Sequence, residues 1–142
     1  VLVSYNADSY GCYGVMQHFS AGTHPKGAMR KVFDWETNKY HGEIEEQATT
    51  YNVVGNTNEY QVTIGETTFG GRLELMDTTG IVDYGSLIYI ALQRSRTARE
   101  AISVMGKIVE KNDSVRQIVI KAIIRNQDGK KVSRAKIEAG VL

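Results

Sequence analysis

Residues 51–110 read YNVVGNTNEYQVTIGETTFGGRLELMDTTGIVDYGSLIYIALQRSRTAREAISVMGKIVE, and this stretch decides the fold because it joins a polar strand pair to a helix pair. In its first half, Asn and Gly separate short alternating runs, which predicts strands joined by tight turns. The hydrogen-bonding side chains here are more numerous than a plain sheet requires. We therefore expect function near these strands, at Asn56, Asn58, Glu59, Glu66, Thr67 and Thr68.

The second half of the stretch predicts two helices. After Asp83, apolar residues recur on one helical face. A second helix is expected to begin at Thr97, whose hydroxyl can cap it while Glu100 reaches back in the reciprocal capping box. The apolar residues that follow keep the i, i+3, i+4 spacing of an amphipathic helix. The sequence therefore predicts a helix pair near residues 85–111.

The segments on both sides of this stretch predict strands. The order of strands, then two helices, then strands favours an α+β domain over alternating βαβ units. In the tail, Asp128-Gly129 is the favoured two-residue hairpin turn, although a helix over 115–125 is an alternative. The predicted strands cover residues 1–5, 15–19, 30–35, 39–45, 61–67 and 118–124, with a turn at 36–38 and a loop at 20–29.

The composition is that of one globular domain, 1–142. Of its 142 residues 42% are hydrophobic and 23% charged, which argues against intrinsic disorder. The net charge of +1 gives no general reason to expect a nucleic acid or an anionic membrane as partner. The charge is unevenly spread, because residues 115–142 hold seven Lys and Arg against two Asp and Glu, a net +5 that leaves −4 for residues 1–114.

The beginning of the sequence lacks the features of a signal peptide and contains no Met. Residue 1 falls inside a strand-like run, so we expect the sequence to be an internal part of a longer protein. Whether that protein is exported or cytoplasmic is left open by the residues present.

Few residues offer chemistry by pattern alone. Cys12 is the single cysteine, so an internal disulfide and a cysteine-rich zinc site are excluded, and no motif supplies it with a histidine base. The three histidines match no metal-binding spacing, so no metal site is predicted. Three arginines, Arg94, Arg96 and Arg99, either bind an anion or form a solvated face, which we prefer. Asp8 follows a strand end, where it is either a working carboxylate or a turn-forming residue.

Three blocks of the sequence resemble the dipeptidase A family of N-terminal-nucleophile hydrolases. They are VLVSYNADSYG (1–11), YNVVGNTNEYQVTIGETTFGGR (51–72) and DTTGIVDYGSLIYIALQRSRTAREAI (77–102). The resemblance implies a four-layer αββα sandwich with two antiparallel sheets between helix layers. It also implies hydrolysis of dipeptides by a cysteine thiol at the mature N-terminus, with the α-amine as base, an acyl-enzyme intermediate, and no metal or other cofactor.

The resemblance also implies roles for individual residues. Residues 5–8, Tyr-Asn-Ala-Asp, fit the Arg-Asn-x-Asp sequence of related hydrolases with Tyr in place of Arg, which implies that Asp8 orients substrate or nucleophile. Thr67 falls at the strand end that supplies an oxyanion donor, with Glu66 and Asn58 as neighbouring substrate contacts. The catalytic candidates are thus Asp8 and Thr67.

The family's nucleophile lies in a Cys-Thr-Thr context that nothing in this chain matches. We therefore expect it upstream of Val1 and expect the 142-residue chain alone to be inactive. A non-catalytic binding or structural domain that keeps the scaffold is the alternative. After Asn112 the resemblance fades, so residues 113–142 are interpreted as a divergent basic tail, from true divergence or a reading-frame error. Dipeptide substrate is the expected partner, without nucleic acid or membrane, and unpaired sheet edges favour a homo-oligomer.

Overall fold

The computed structural model of the chain describes residues 16–66, 79–111, 119–125 and 131–138. Among these residues no helix has the length and apolar character needed to cross a membrane. The mixture of small antiparallel sheets with two helices confirms the α+β class. The elements in chain order are β1 (His18–Phe19), β2 (Gly22–Thr23), β3 (Met29–Phe33), β4 (Tyr40–Glu45), β5 (Thr49–Thr50), β6 (Val53–Val54), β7 (Thr57–Asn58), α1 (Tyr84–Gln93), α2 (Ala98–Lys111), β8 (Val119–Arg125) and β9 (Lys131–Glu138).

The hairpin of β3 and β4 confirms the predicted strands on either side of residues 36–38. Its register pairs Met29 with Glu45, and a bulge follows Val32. The turn forms because Oδ1 of Asp34 accepts the N–H groups of Glu36 (3.1 Å) and Thr37 (2.7 Å). These local bonds replace the ladder bonds that end at the turn, as is usual for an Asp at this position.

The remaining strands form three small antiparallel sheets, with orders β1-β6-β7, β2-β5 and β8-β9. The predicted strand at 15–19 is reduced to β1, and the predicted loop at 20–29 contains β2. The pairing of β8 with β9 confirms the predicted strands of the tail. The helix alternative is therefore wrong for residues 119–125. The predicted strand at 1–5 and the turn at Asp128-Gly129 lie outside the described residues.

The predicted strand at 61–67 is wrong for residues 61–66, where only one isolated bridge joins Thr63 to Thr57. The backbone reverses direction instead, with Gln61 at a φ of 61°. The cause is Asn58, whose N–H donates to the carbonyl of Val62 (3.0 Å) and whose carbonyl accepts the Gln61 N–H (2.9 Å). The apolar residues of this segment alternate as in a strand, but its backbone hydrogen bonds form a turn.

Both helices begin at the residues that the sequence predicts, and the helix pair near 85–111 is confirmed. Asp83 caps α1 by accepting the Ser86 N–H (2.9 Å). Thr97 caps α2 by accepting the Glu100 N–H (3.2 Å). The Glu100 carboxylate accepts the Arg96 N–H (2.7 Å), one residue earlier than in the reciprocal capping box. Each cap satisfies backbone donors that a helix start leaves free.

Helix α1 lies between two hydrophobic clusters, and its residues Ile90 and Leu92 are fully buried. Trp35 packs over Gly85, where an added Cβ would lie 2.8 Å from Cδ1 of the indole, so this crossing requires glycine. The larger cluster joins the hairpin to both helices through Val32, Ile44, Val82, Leu87, Ile90, Ala91, Met105 and Ile108. The smaller joins α1 to β6 and to the turn that follows β7 through Val53, Val62, Leu92 and Ala101.

Candidate functional site

Asn58, a predicted substrate contact, is 4% exposed and lies against the C-terminal end of α1. Its amide Nδ2 donates to the carbonyls of Leu92 (2.8 Å) and Ser95 (2.7 Å). Its Oδ1 accepts the N–H groups of Tyr60 and Val62, both at 3.0 Å. Two donated and two accepted bonds use the full capacity of an asparagine amide. Asn58 therefore fixes the turn at residues 58–62 onto the end of α1.

Glu66, the other predicted substrate contact, lies toward the opposite end of α1. The hydrogen bond from the Tyr84 hydroxyl to Glu36 (2.7 Å) raises the pKa of Tyr84, and the nearby charge of Glu66 raises it further. Tyr84 is the first residue of this 10-residue helix, which is about 15 Å long at 1.5 Å per residue. Asn58 contacts the last turn of the same helix. Asp8 and Thr67 lie outside the described residues.

The other polar residues of the 51–66 segment also bond within the protein. Asn56 donates through Nδ2 to the Ile64 carbonyl (3.0 Å), and the hydroxyls of Thr57 and Thr63 are 2.9 Å apart. The carboxylate of Glu59 accepts the Asn52 N–H (3.1 Å). The unusual density of polar side chains thus fixes a compact loop, while Thr68 falls outside the described residues.

A cluster of buried charged side chains joins β3, the end of β4 and the end of α1, and of its members sequence reasoning singled out only Arg94. Glu46, 5% exposed at its side chain, forms ion pairs with Arg30 and with Arg94 (3.0 Å), whose side chains are 17% and 6% exposed. We call these three residues the Arg–Glu–Arg cluster. Arg30 also donates to Gln93 Oε1 (2.6 Å), which links the cluster to α1. The partners are 16 and 48 residues from Glu46, so no local spacing signals them.

The Arg–Glu–Arg cluster has two cations for one anion. Burial works to raise the pKa of Glu46, but the Gln47 N–H and the charge of Arg30 together hold it below its usual value. Burial also lowers the pKa of Arg94. The negative charge of Glu46 opposes this effect, and the positive charge of Arg30 adds to it. Arg94 Nη2 donates to the Glu45 carbonyl (2.9 Å) and to Glu46, whereas its Nε is buried and has no acceptor. The cluster therefore holds two positive charges against one buried carboxylate, and the charge of Glu45 also acts on Arg94.

A pocket of about 470 Å³ opens beside this cluster. Arg94, Glu46 and Lys107 line it, and the turn at residues 25–27 closes one side. A volume of this size suits a small organic molecule. Since Arg94 is buried, the solvated-face interpretation is wrong for this residue.

Arg96 remains exposed but is held by two tyrosines. Its guanidinium carbon lies 5.3 Å and 5.5 Å from the ring centres of Tyr51 and Tyr60. Its Nε donates to the Tyr51 hydroxyl (2.6 Å), and this bond raises the pKa of Arg96. Arg99 is exposed on α2. The three arginines therefore do not form one group.

Asp34, His41 and Asp83 are the described residues that come closest to a metal-binding set, with ligand atoms within 4.8 Å of one another. Carboxylate and imidazole ligands suit divalent transition metals. However, Asp83 caps α1 with both oxygens bonded to Ser86, and Asp34 holds the hairpin turn. The Asp34–His41 approach of 3.7 Å also fits a simple ion pair. The two carboxylates thus have structural roles, while Nδ1 of His41 is buried and has no partner among the described residues.

Comparison with known families gives a match over most of the chain. The model of a family described as peptidase family C69 matches residues 4–123, which is 120 of the 142 residues. No curated protein sequence and no solved structure matches the chain.

Proposed function

The chain belongs to peptidase family C69, the dipeptidase A family of cysteine peptidases, and from this membership we propose that it is part of a dipeptidase of the N-terminal-nucleophile type. The observation that carries the proposal is the family match over residues 4–123. The match includes the blocks around Asp8, Asn58 and Thr67, to which the resemblance assigns supporting roles. The proposed reaction is hydrolysis of a dipeptide amide bond through an acyl-enzyme.

The proposed nucleophile is a cysteine thiol outside the 142-residue sequence. Cys12 is the single cysteine of the chain and lies beyond the Asp8 motif, whereas the family's nucleophile precedes that motif in a Cys-Thr-Thr context. An N-terminal thiol can use its own α-amine as base, so it needs no histidine from the chain. The 142-residue chain is then expected to be inactive alone.

In this proposal the chain contributes the groups around the reacting carbonyl. Asp8 orients substrate or nucleophile, and Thr67 donates a hydrogen bond to the oxyanion. Glu66, adjacent to Thr67, contacts the substrate. Asn58 acts as a positioning residue, because its four hydrogen bonds hold the segment that leads to Glu66 and Thr67 against α1. The whole domain would be the four-layer αββα sandwich.

The test compares three proteins on a panel of dipeptides. The 142-residue chain is expected to show no thiol-dependent hydrolysis, and Cys12→Ser should match it. A protein extended by the coding sequence upstream of Val1 is expected to hydrolyse dipeptides and to lose activity with a thiol-alkylating reagent.

Two results would overturn the proposal. Turnover by the 142-residue chain that disappears in Cys12→Ser would make Cys12 the nucleophile. An upstream sequence without the Cys-Thr-Thr segment, or an extended and folded protein without turnover, would favour the non-catalytic binding domain.

A further inference from the structure

The pocket beside the Arg–Glu–Arg cluster combines a buried cation with an open, positively charged rim. Arg94 forms its inner wall, and Lys26 and Lys107 are exposed at its lining. Neither lysine has an ion pair within the described part of the chain, whereas Lys111 pairs with Glu45 (2.7 Å). The lining thus holds four cationic side chains, of Lys26, Arg94, Lys107 and Lys111, against the carboxylates of Glu45 and Glu46, a net charge of +2.

Arg94 supplies a guanidinium to the pocket lining. An arginine presents five N–H donors in a planar fork. In Arg94, Nη2 donates to the Glu45 carbonyl and to the Glu46 carboxylate, and the side chain is 6% exposed. An anion in the pocket would add negative charge beside this largely desolvated guanidinium.

The pocket lining is also partly apolar, which restricts the class of anion. Its apolar lining residues are Pro25, Ile44, Ala48, Val104 and Ile108. Inorganic anions gain nothing from such a wall, whereas an aliphatic substituent gains by removal of its surface from water. A carboxylate suits the planar fork of a guanidinium.

We propose that the pocket between the turn at residues 25–27, the end of β4 and helix α2 binds a small organic carboxylate with an apolar substituent. The carboxylate faces Arg94, with Lys26 and Lys107 at the entrance, and the substituent lies against Val104 and Ile108. Two sources share this chemistry: the C-terminal residue of a peptide and a short aliphatic acid. The proposal does not depend on peptidase activity, because it concerns binding by the chain as it stands.

The test is a titration of the 142-residue chain with matched ligands, in which binding is measured by ligand-observed NMR and by calorimetry. Hexanoate and N-acetyl-leucine represent the two sources, and hexanamide and N-acetyl-leucinamide are their uncharged controls. Acids are expected to saturate the protein and to bind about tenfold more tightly than their amides. Acetate should bind more weakly than hexanoate, because it lacks the apolar part. The tighter of the two longer acids identifies the source.

Variants locate the binding at this pocket. The double variant Lys26→Gln/Lys107→Gln should weaken acid binding about fivefold, with little change in amide binding. The matched control Lys31→Gln/Lys39→Gln removes two exposed lysines outside the pocket lining and should bind like the parent. Thermal melts of both doubles should match the parent, since all four side chains are exposed.

Three results would overturn the proposal: equal binding of acids and amides, equal weakening in both doubles, or no saturation by either longer acid. Inorganic phosphate that displaces hexanoate at equal concentration would identify a general anion site and would also contradict it.

Discussion

Asn58→Ala is the substitution that should disturb the described part of the chain most through hydrogen bonding alone. It removes two bonds to the carbonyls of Leu92 and Ser95 and two from the N–H groups of Tyr60 and Val62. A single intramolecular hydrogen bond contributes about 1 kcal/mol net, and a buried partner left unsatisfied costs more. Water reaches this site poorly, because Asn58 is 4% exposed. We expect a loss of about 3–5 kcal/mol in the free energy of unfolding.

The assay is urea unfolding of the parent, Asn58→Ala and the matched control Asn56→Ala. The control removes one bond, from Asn56 to the Ile64 carbonyl, and should cost about 1 kcal/mol. Hydrogen exchange at the Val62 amide separates the proposed cause from a general packing defect. Its N–H loses its acceptor in Asn58→Ala only, so its exchange should accelerate there and not in the control. Equal losses in the two variants, or an unchanged Val62 amide, would refute the reasoning.

Two further predictions concern packing and charge. Gly85→Ala should destabilise the chain by about 1–3 kcal/mol, because the new Cβ would displace Trp35, and it should shift the fluorescence of this single tryptophan. The control Gly106→Ala adds a Cβ in open space and should instead stabilise α2 by about 0.5–1 kcal/mol. Similar urea midpoints for the two variants would contradict the argument. Glu46→Gln should cost about 3 kcal/mol at pH 7, since it leaves Arg94 without its counterion. Because the pKa of Glu46 is lowered on folding, its contribution is present above the unfolded carboxyl value and is lost as pH falls through the folded one. The difference between the parent and Glu46→Gln in the free energy of unfolding should therefore shrink as pH falls below the unfolded carboxyl value, and a constant difference would contradict this.

The elements that the sequence predicts correctly are those whose determinants are local. Asp83 and Thr97 each cap a helix through a bond to a residue three positions later. Asp34 forms the hairpin turn by accepting hydrogen bonds from the N–H groups of Glu36 and Thr37, two and three residues later. Short-range hydrogen bonds of this kind depend on few residues, so their pattern is visible in the sequence alone.

The strand predicted at 61–67 is wrong over its described residues, because long-range contacts with α1 stabilise a turn there instead. The alternation of Val62 and Ile64 fits a strand, yet Val62 packs against Leu92 in the smaller cluster, and Asn58 is bonded 34 residues away to α1. These contacts stabilise a turn that alternation does not anticipate. The Arg–Glu–Arg cluster escapes prediction for the same reason, since its charges come together only when β3 packs on α1.

Helix α1 explains why the polar residues near β6 and β7 are so numerous. The last carbonyls of a helix need donor partners from outside it. Here the Tyr51 N–H donates to the Gln93 carbonyl (2.9 Å), and Asn58 donates to those of Leu92 and Ser95. The same helix end carries Arg94 into the buried cluster beside the pocket. Residues that resemble substrate contacts in the sequence thus fix the helix end that carries Arg94 into the Arg–Glu–Arg cluster.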